Sequence, residues 1–119
     1  MNNSLCILIR RPPYGQIHAA EAIRHAGGAL AEGLVTRVAL IDDGVYVARA
    51  GQDTSATAWT ALAPALAKTI EKGAPVLVHL SSAIARGLAI EKDFVAGAQI
   101  IDDAEFMRVI AASDAVMIY

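Results

Sequence analysis

Short, mainly apolar segments separated by longer segments of helical spacing constrain the fold of this chain most strongly. Three of them are Leu5–Ile9, Val35–Ile41 and Val76–Leu80; the first is a continuous apolar run, and the second has Val38–Ile41 as its buried part. A strand that is buried on both faces reads as such a run, so we predict that these segments are strands of a parallel sheet. Two shorter segments, Ala98–Ile101 and Ala115–Ile118, are predicted to add two more strands.

Helical patterns fill the intervals between the predicted strands. The segment Gln16–Glu32 has apolar residues at spacings of three and four, and we expect its Gly27-Gly28 pair to let the helix lie close on the sheet. A second helix is predicted from Trp59 to Gly73, with Pro64 kinking it or opening its second half. Residues 103–112 are predicted to form a third helix. Strands that alternate with helices predict a doubly wound, mainly parallel α/β sheet with helices on both faces.

Size and composition predict one domain that associates with other subunits. A chain of 119 residues is in the usual range for a single domain spanning residues 1–119. Hydrophobic residues make up 55% and charged residues 18%, so we expect part of the surface to be covered by a partner. A net charge of −2 without any basic run argues against nucleic acid, and no apolar stretch is long enough to cross a membrane.

The cysteine content and the first residues predict a cytoplasmic protein. The start, Met1-Asn2-Asn3-Ser4, has no positive region of the kind that begins a signal peptide. The single cysteine, Cys6, has no partner for an internal disulfide, which is typical of a reducing compartment. Because Cys6 lies in the middle of the first strand, we expect a buried thiol with a raised pKa.

Ligands of open parallel sheets bind outside the carboxyl ends of the strands, and this rule selects three loops, residues 10–16, 42–46 and 79–87. None of the three contains a phosphate loop, a Cys-x-x-Cys pair or a nucleophile elbow, so we assign no cofactor and no catalytic residue. The residues that we predict to bind a ligand there are Tyr14, Gly15, Asp43, Tyr46, His79, Ser82 and Arg86.

Two interpretations of His79 stay open. It is either a strand-end histidine that bonds to a neighbouring loop or a site residue that binds a ligand. His18 and His25 are seven residues apart and lack the spacing of a metal motif, so no metal is assigned.

The arginines of these loops have two interpretations as well. Arg10, Arg11 and Arg86 either collect an anion such as a sulfur oxyanion, carboxylate or phosphate, or remain solvated.

Four short motifs resemble those of one family. They are Pro13-Tyr14-Gly15, Asp43-Gly44-Val45-Tyr46, Arg86-Gly87 and Ser113-Asp114-Ala115-Val116, and they follow the first, second and third strands and precede the last. In this order they are similar to the DsrE/DsrF-like (TusD/TusC-like) sulfur-relay proteins. The resemblance implies a flavodoxin-like, three-layer domain with a five-stranded sheet. It also implies a homo-oligomer or a hetero-oligomer with related subunits, with a sulfur-carrier protein as a possible partner.

One departure from the family bears on function. In active members a cysteine at the end of the third strand, seven residues before the arginine of the Arg-Gly pair, carries sulfur as a persulfide. Counting back from Arg86 gives His79, and an imidazole cannot hold a persulfide.

Three functions follow from this sequence. The first is a non-catalytic or altered subunit of a DsrE/DsrF-like oligomer, in sulfur relay or sulfur oxidation through protein partners. The alternative is a small-molecule or anion-binding domain that uses the strand-end cleft around His79. An enzyme with His79 and Asp43 as acid and base has the least support, because nothing in the sequence brings the two into reach.

Overall fold

The computed structural model describes residues 3–119 and forms one open five-stranded sheet. The strands are β1 (Ser4–Ile9), β2 (Val35–Leu40), β3 (Val76–His79), β4 (Gln99–Ile101) and β5 (Ala115–Ile118). Their order across the sheet is β4-β3-β2-β1-β5, and every neighbouring pair is parallel. The predicted α/β class, with a flavodoxin-like three-layer arrangement, is confirmed.

Four helices and one 3-10 segment connect the strands. The helices are α1 (His18–Ala31), α2 (Ala63–Glu71), α3 (Leu80–Ala85) and α4 (Asp103–Ala112), and the 3-10 segment is Asp42–Ala48. The chain moves in one direction from β1 to β4 and then returns across the sheet to place β5 beside β1. Because parallel crossovers are right-handed, the return connection through α4 lies on the opposite face from the others.

Side chains of each strand alternate between two apolar cores. Ile7 and Ile9 of β1 belong to the core beneath α1 and α2, whereas Cys6 and Leu8 belong to the core beneath α4. We call these the first and second faces of the sheet. Phe106 is the one residue of α4 that is fully buried, so the cover of the second face depends largely on this ring.

The second predicted helix begins later than expected. Trp59 lies outside it in an irregular segment, 39% exposed, with its ring edge-on to Tyr14 at 6.4 Å between centroids. Helix α2 starts at Ala63, so Pro64 lies in its first turn. Proline is tolerated there because the missing N–H would have no helical acceptor. The predicted helix start at Trp59 and the kink at Pro64 were therefore wrong, whereas the alternative, that Pro64 opens the second half of the segment, is confirmed.

The glycine pair of α1 does not bring the helix close to the sheet. A Cβ atom at Gly27 or Gly28 would have no heavy atom within 4 Å, so the predicted close packing was wrong. The close approach is instead at Gly44 in the 3-10 segment, where a Cβ would lie 2.0 Å from the carbonyl oxygen of Ile9. Only glycine allows this segment to pack on the end of β1. None of the helices in residues 3–119 is long and apolar enough to cross a membrane.

Candidate functional site

The three loops predicted to form a site meet at the carboxyl edge of the sheet. Arg10 Nε lies 3.6 Å from the Asp42 carboxylate, which joins the first loop to the second. The second and third loops are joined by Arg86, which donates from Nε to Asp43 Oδ1 at 3.0 Å, and by the Asp42 N–H, which donates to Ser82 Oγ at 2.9 Å. Asp42 has a φ of 54°, in the left-handed region that aspartate tolerates better than most residues.

His79 ends β3 and caps the helix that follows. Its Nδ1 accepts a 3.3 Å hydrogen bond from the backbone N–H of Ser82 and lies 2.7 Å from Ser82 Oγ. Because Ser82 Oγ already accepts from the Asp42 N–H, its own proton is free to be donated to Nδ1. Nδ1 therefore acts as the acceptor of this cap, which leaves Nε2 as the nitrogen that donates.

A fourth segment, which the sequence did not indicate, completes the surroundings of His79. Nε2 of the ring lies 2.6 Å from Asp103 Oδ1, which also accepts from Ser81 Oγ at 2.9 Å. The ring meets Phe106 edge-on at 5.0 Å between centroids. With 15% of its side chain exposed, His79 is tied to the start of α3 and the start of α4.

His79 contacts Ser82 through one ring nitrogen and Asp103 through the other, and these are the residue types of a hydrolytic triad. A substrate, however, could not reach the serine. Ser82 is 5% exposed, and its hydroxyl is occupied by the Asp42 N–H on one side and by His79 on the other. A nucleophile must reach a substrate atom, and this hydroxyl is enclosed. The contacts of Asp43 run to Arg86 rather than to His79, so an acid–base pair of His79 and Asp43 has no support in the geometry.

The predicted aromatic residues lie in a different place. Tyr14 and Tyr46 pack with the first-face core, whereas His79 packs on Phe106 at the second face. The two tyrosines line a cavity of about 270 Å³, which is bordered by Pro12, Pro13, Tyr14, Tyr46, Arg49 and Gln52. Gly15, with a φ of 88°, turns the loop at this cavity. The structure therefore divides the seven predicted residues into two groups, and ligand binding by either group stays a prediction.

Cys6 is the buried thiol that its position predicted. It is 0% exposed, and burial raises the pKa of its thiol. The charge of Arg37 and a hydrogen bond with Ser113 lower that pKa by less than burial raises it. A thiol in this state reacts slowly, because the thiolate is the nucleophilic form.

The two histidines of α1 do not build a metal centre. His25 contacts the Tyr119 hydroxyl through Nδ1 and the Glu21 carboxylate through Nε2 at 3.6 Å. Across residues 3–119, no three histidine, cysteine or acidic side chains lie close enough together to hold a metal ion.

The fold places the chain among small open-sheet α/β domains, a class whose ligands bind at the carboxyl edge of the sheet. Within that class, the sequence pattern of the DsrE/DsrF-like family matches residues 3–119. The chain belongs to the DsrE/DsrF-like family.

Two archaeal proteins are similar over nearly the whole chain. The chain is 32% identical over 115 residues to the uncharacterized protein MK0008 of Methanopyrus kandleri, which covers 97% of this chain and 93% of that protein. It is 34% identical over 113 residues to the uncharacterized protein MJ0989 of Methanocaldococcus jannaschii, with 95% and 96% covered.

Solved structures show the same fold at low sequence identity. The ychN protein of E. coli superposes with a TM-score of 0.87 at 19% identity, covering 98% of this chain and 99% of that one. MTH1491 of Methanobacterium thermoautotrophicum, a protein of unknown function, superposes with a TM-score of 0.77 at 13% identity, covering 99% and 100%.

Proposed function

We propose that this chain is an altered, non-catalytic subunit of a DsrE/DsrF-like oligomer, working in sulfur relay or sulfur oxidation through protein partners in the cytoplasm. The observation that carries the proposal is the state of position 79, where the family resemblance expects the sulfur-carrying cysteine. Histidine stands there, and its ring nitrogens face Ser82 and Asp103 of its own domain.

Cys6, the single cysteine of the chain, does not take over the role of a persulfide carrier. Persulfide transfer needs a thiolate that attacks a sulfur atom of the donor, so the thiol must be both ionised and accessible. Cys6 is 0% exposed with a raised pKa, and it lies within β1 rather than at the edge of the sheet. We therefore assign this subunit an architectural role in the assembly and leave sulfur transfer to its partners.

Exposed apolar side chains support assembly into an oligomer. The exposed large apolar side chains are Ile17, Val35, Trp59, Ile84, Ile90, Met107, Met117 and Ile118. Met107 on α4 and Ile118 on β5 belong to the thinly covered second face, where burial against another subunit would remove apolar surface from water. A stable interface buries at least about 1,000 Å² in total.

The test is the mass of the native assembly. Light scattering at tens of micromolar, about the range where specific interfaces are occupied, should give a mass above that of a 12.4 kDa monomer. Pull-down from the protein's own cell should recover related subunits. A monomer that recovers no related subunit would contradict the proposal.

The alternative, an anion-binding domain around His79, has less support. Arg86, the arginine of the loop that His79 begins, is held by Asp43 through a 3.0 Å hydrogen bond, whereas Arg10 makes only a longer, solvent-exposed contact of 3.6 Å with Asp42.

A further inference from the structure

A cavity at the reversal point of the sheet is separate from both groups of predicted site residues. The strand order turns back between β1 and β5, and the crossovers on either side of this point lie on opposite faces of the sheet. Open α/β sheets bind ligands at the carboxyl ends of such strands. The cavity there has about 380 Å³ and is lined by Arg10, Arg11, His18, Ile118 and Tyr119.

The side chains that line this cavity are positively charged, whereas the chain as a whole is negatively charged. The protein has a formal charge of −2, yet the lining contains two guanidinium groups, one imidazole and no carboxylate side chain. Arg11 forms no ion pair with another side chain of residues 3–119, and Arg10 has only the solvent-exposed contact with Asp42 at 3.6 Å. Guanidinium groups bind phosphate and carboxylate through paired hydrogen bonds.

The volume of the cavity and its lining residues other than the arginines indicate what else the ligand contains besides an anionic group. About 380 Å³ is within the range of small-molecule pockets and exceeds what one inorganic oxyanion fills. The Tyr119 ring, which packs with the first-face core, is held in place because its hydroxyl bonds to His25 Nδ1. A flat group beside the anionic group would contact this ring.

We propose that this cavity binds a small organic anion, in which a phosphate or carboxylate group meets Arg10 and Arg11 and an attached ring packs against Tyr119. The site uses neither His79 nor Cys6, and among its lining residues only Ile118 belongs to the apolar surface that we assign to the subunit interface. The subunit would then bind a small molecule for the assembly while taking no part in sulfur transfer itself.

Isothermal titration of the native assembly tests the proposal with four probes, AMP, benzoate, inorganic phosphate and adenosine. We expect saturable binding of AMP or benzoate in the millimolar range or tighter, about tenfold weaker binding of inorganic phosphate, and none of adenosine. The ratio of AMP to benzoate affinity distinguishes phosphate from carboxylate as the preferred group.

Matched variants locate the binding. Arg11→Ala should lower the affinity for the probe that binds by about tenfold or more, because a charge-assisted pair of hydrogen bonds is lost. Arg11→Lys should be intermediate, because lysine keeps the charge without the planar fork. Arg108→Ala removes the same charge from the exposed side of α4, outside the cavity lining, and should leave the affinity unchanged. The proposal is overturned if neither ring-bearing anion saturates by about 10 mM, if adenosine binds as well as AMP, or if Arg108→Ala weakens binding as much as Arg11→Ala.

Discussion

Replacing His79 with alanine should destabilise the domain by about 2–4 kcal/mol. The substitution removes the side-chain acceptor that caps α3, which costs about 1 kcal/mol at a typical N-cap. It also leaves the buried Ser82 hydroxyl without its acceptor and removes the edge-to-face contact with Phe106, a pair worth about 0.5–1.5 kcal/mol beyond the area that it buries. The bond to Asp103 adds little, because that carboxylate is 71% exposed.

His79→Asn is the matched control for this loss. Asparagine is among the best N-cap residues, so it should restore about 1 kcal/mol relative to alanine while still lacking the ring. Asp103→Asn should change stability far less than either variant. Urea unfolding followed by far-UV circular dichroism at one fixed protein concentration measures all three, because stability of an oligomer depends on concentration. A cost below about 1 kcal/mol for His79→Ala would refute the capping role and leave the ring available to a ligand.

Three further predictions follow from single contacts. Gly44→Ala should cost at least about 3 kcal/mol in urea unfolding, because its Cβ would lie 2.0 Å from the Ile9 carbonyl oxygen. Gly27→Ala, with open space around its Cβ, should instead stabilise by about 0.5–1 kcal/mol, and equal effects would contradict the packing described. Native Cys6 should react with iodoacetamide far more slowly than in urea, and its native rate should still be rising above pH 9.0, the ordinary thiol value, because burial raises its pKa. His79→Cys should create a thiol that labels faster than Cys6, whereas equally slow labelling would place position 79 in the core.

Strand β1 was predictable because burial on both faces leaves an unbroken apolar run, and the buried parts of β2 and β3 read in the same way. Two elements, residues 103–112 and 115–118, match the observed bounds in full. Helix α3 was not predictable from local pattern, because Ser81-Ser82 favours a loop and the helix begins only with the cap that His79 supplies. Pro64 was ambiguous for a similar reason, since proline opens a helix as readily as it kinks one.

The candidate site was predictable as a location but not as an arrangement of side chains. Parallel strands bring their carboxyl ends to one edge, so the meeting of the three loops followed from the fold class. Asp103 was missed because its place beside His79 depends on β4 pairing with β3, and the sequence left the strand order open. The separation of Tyr14 from His79 depends on which face of the sheet each residue packs against.

Sulfur loading of the native protein tests the central proposal most directly. The purified assembly is incubated with a persulfide donor, and the intact mass of each chain is measured under non-reducing conditions. We expect no added sulfur on the unchanged chain, because position 79 has no thiol and Cys6 is buried with a raised pKa. A stable gain of one sulfur atom on Cys6 would contradict the proposal that this subunit takes no part in sulfur transfer.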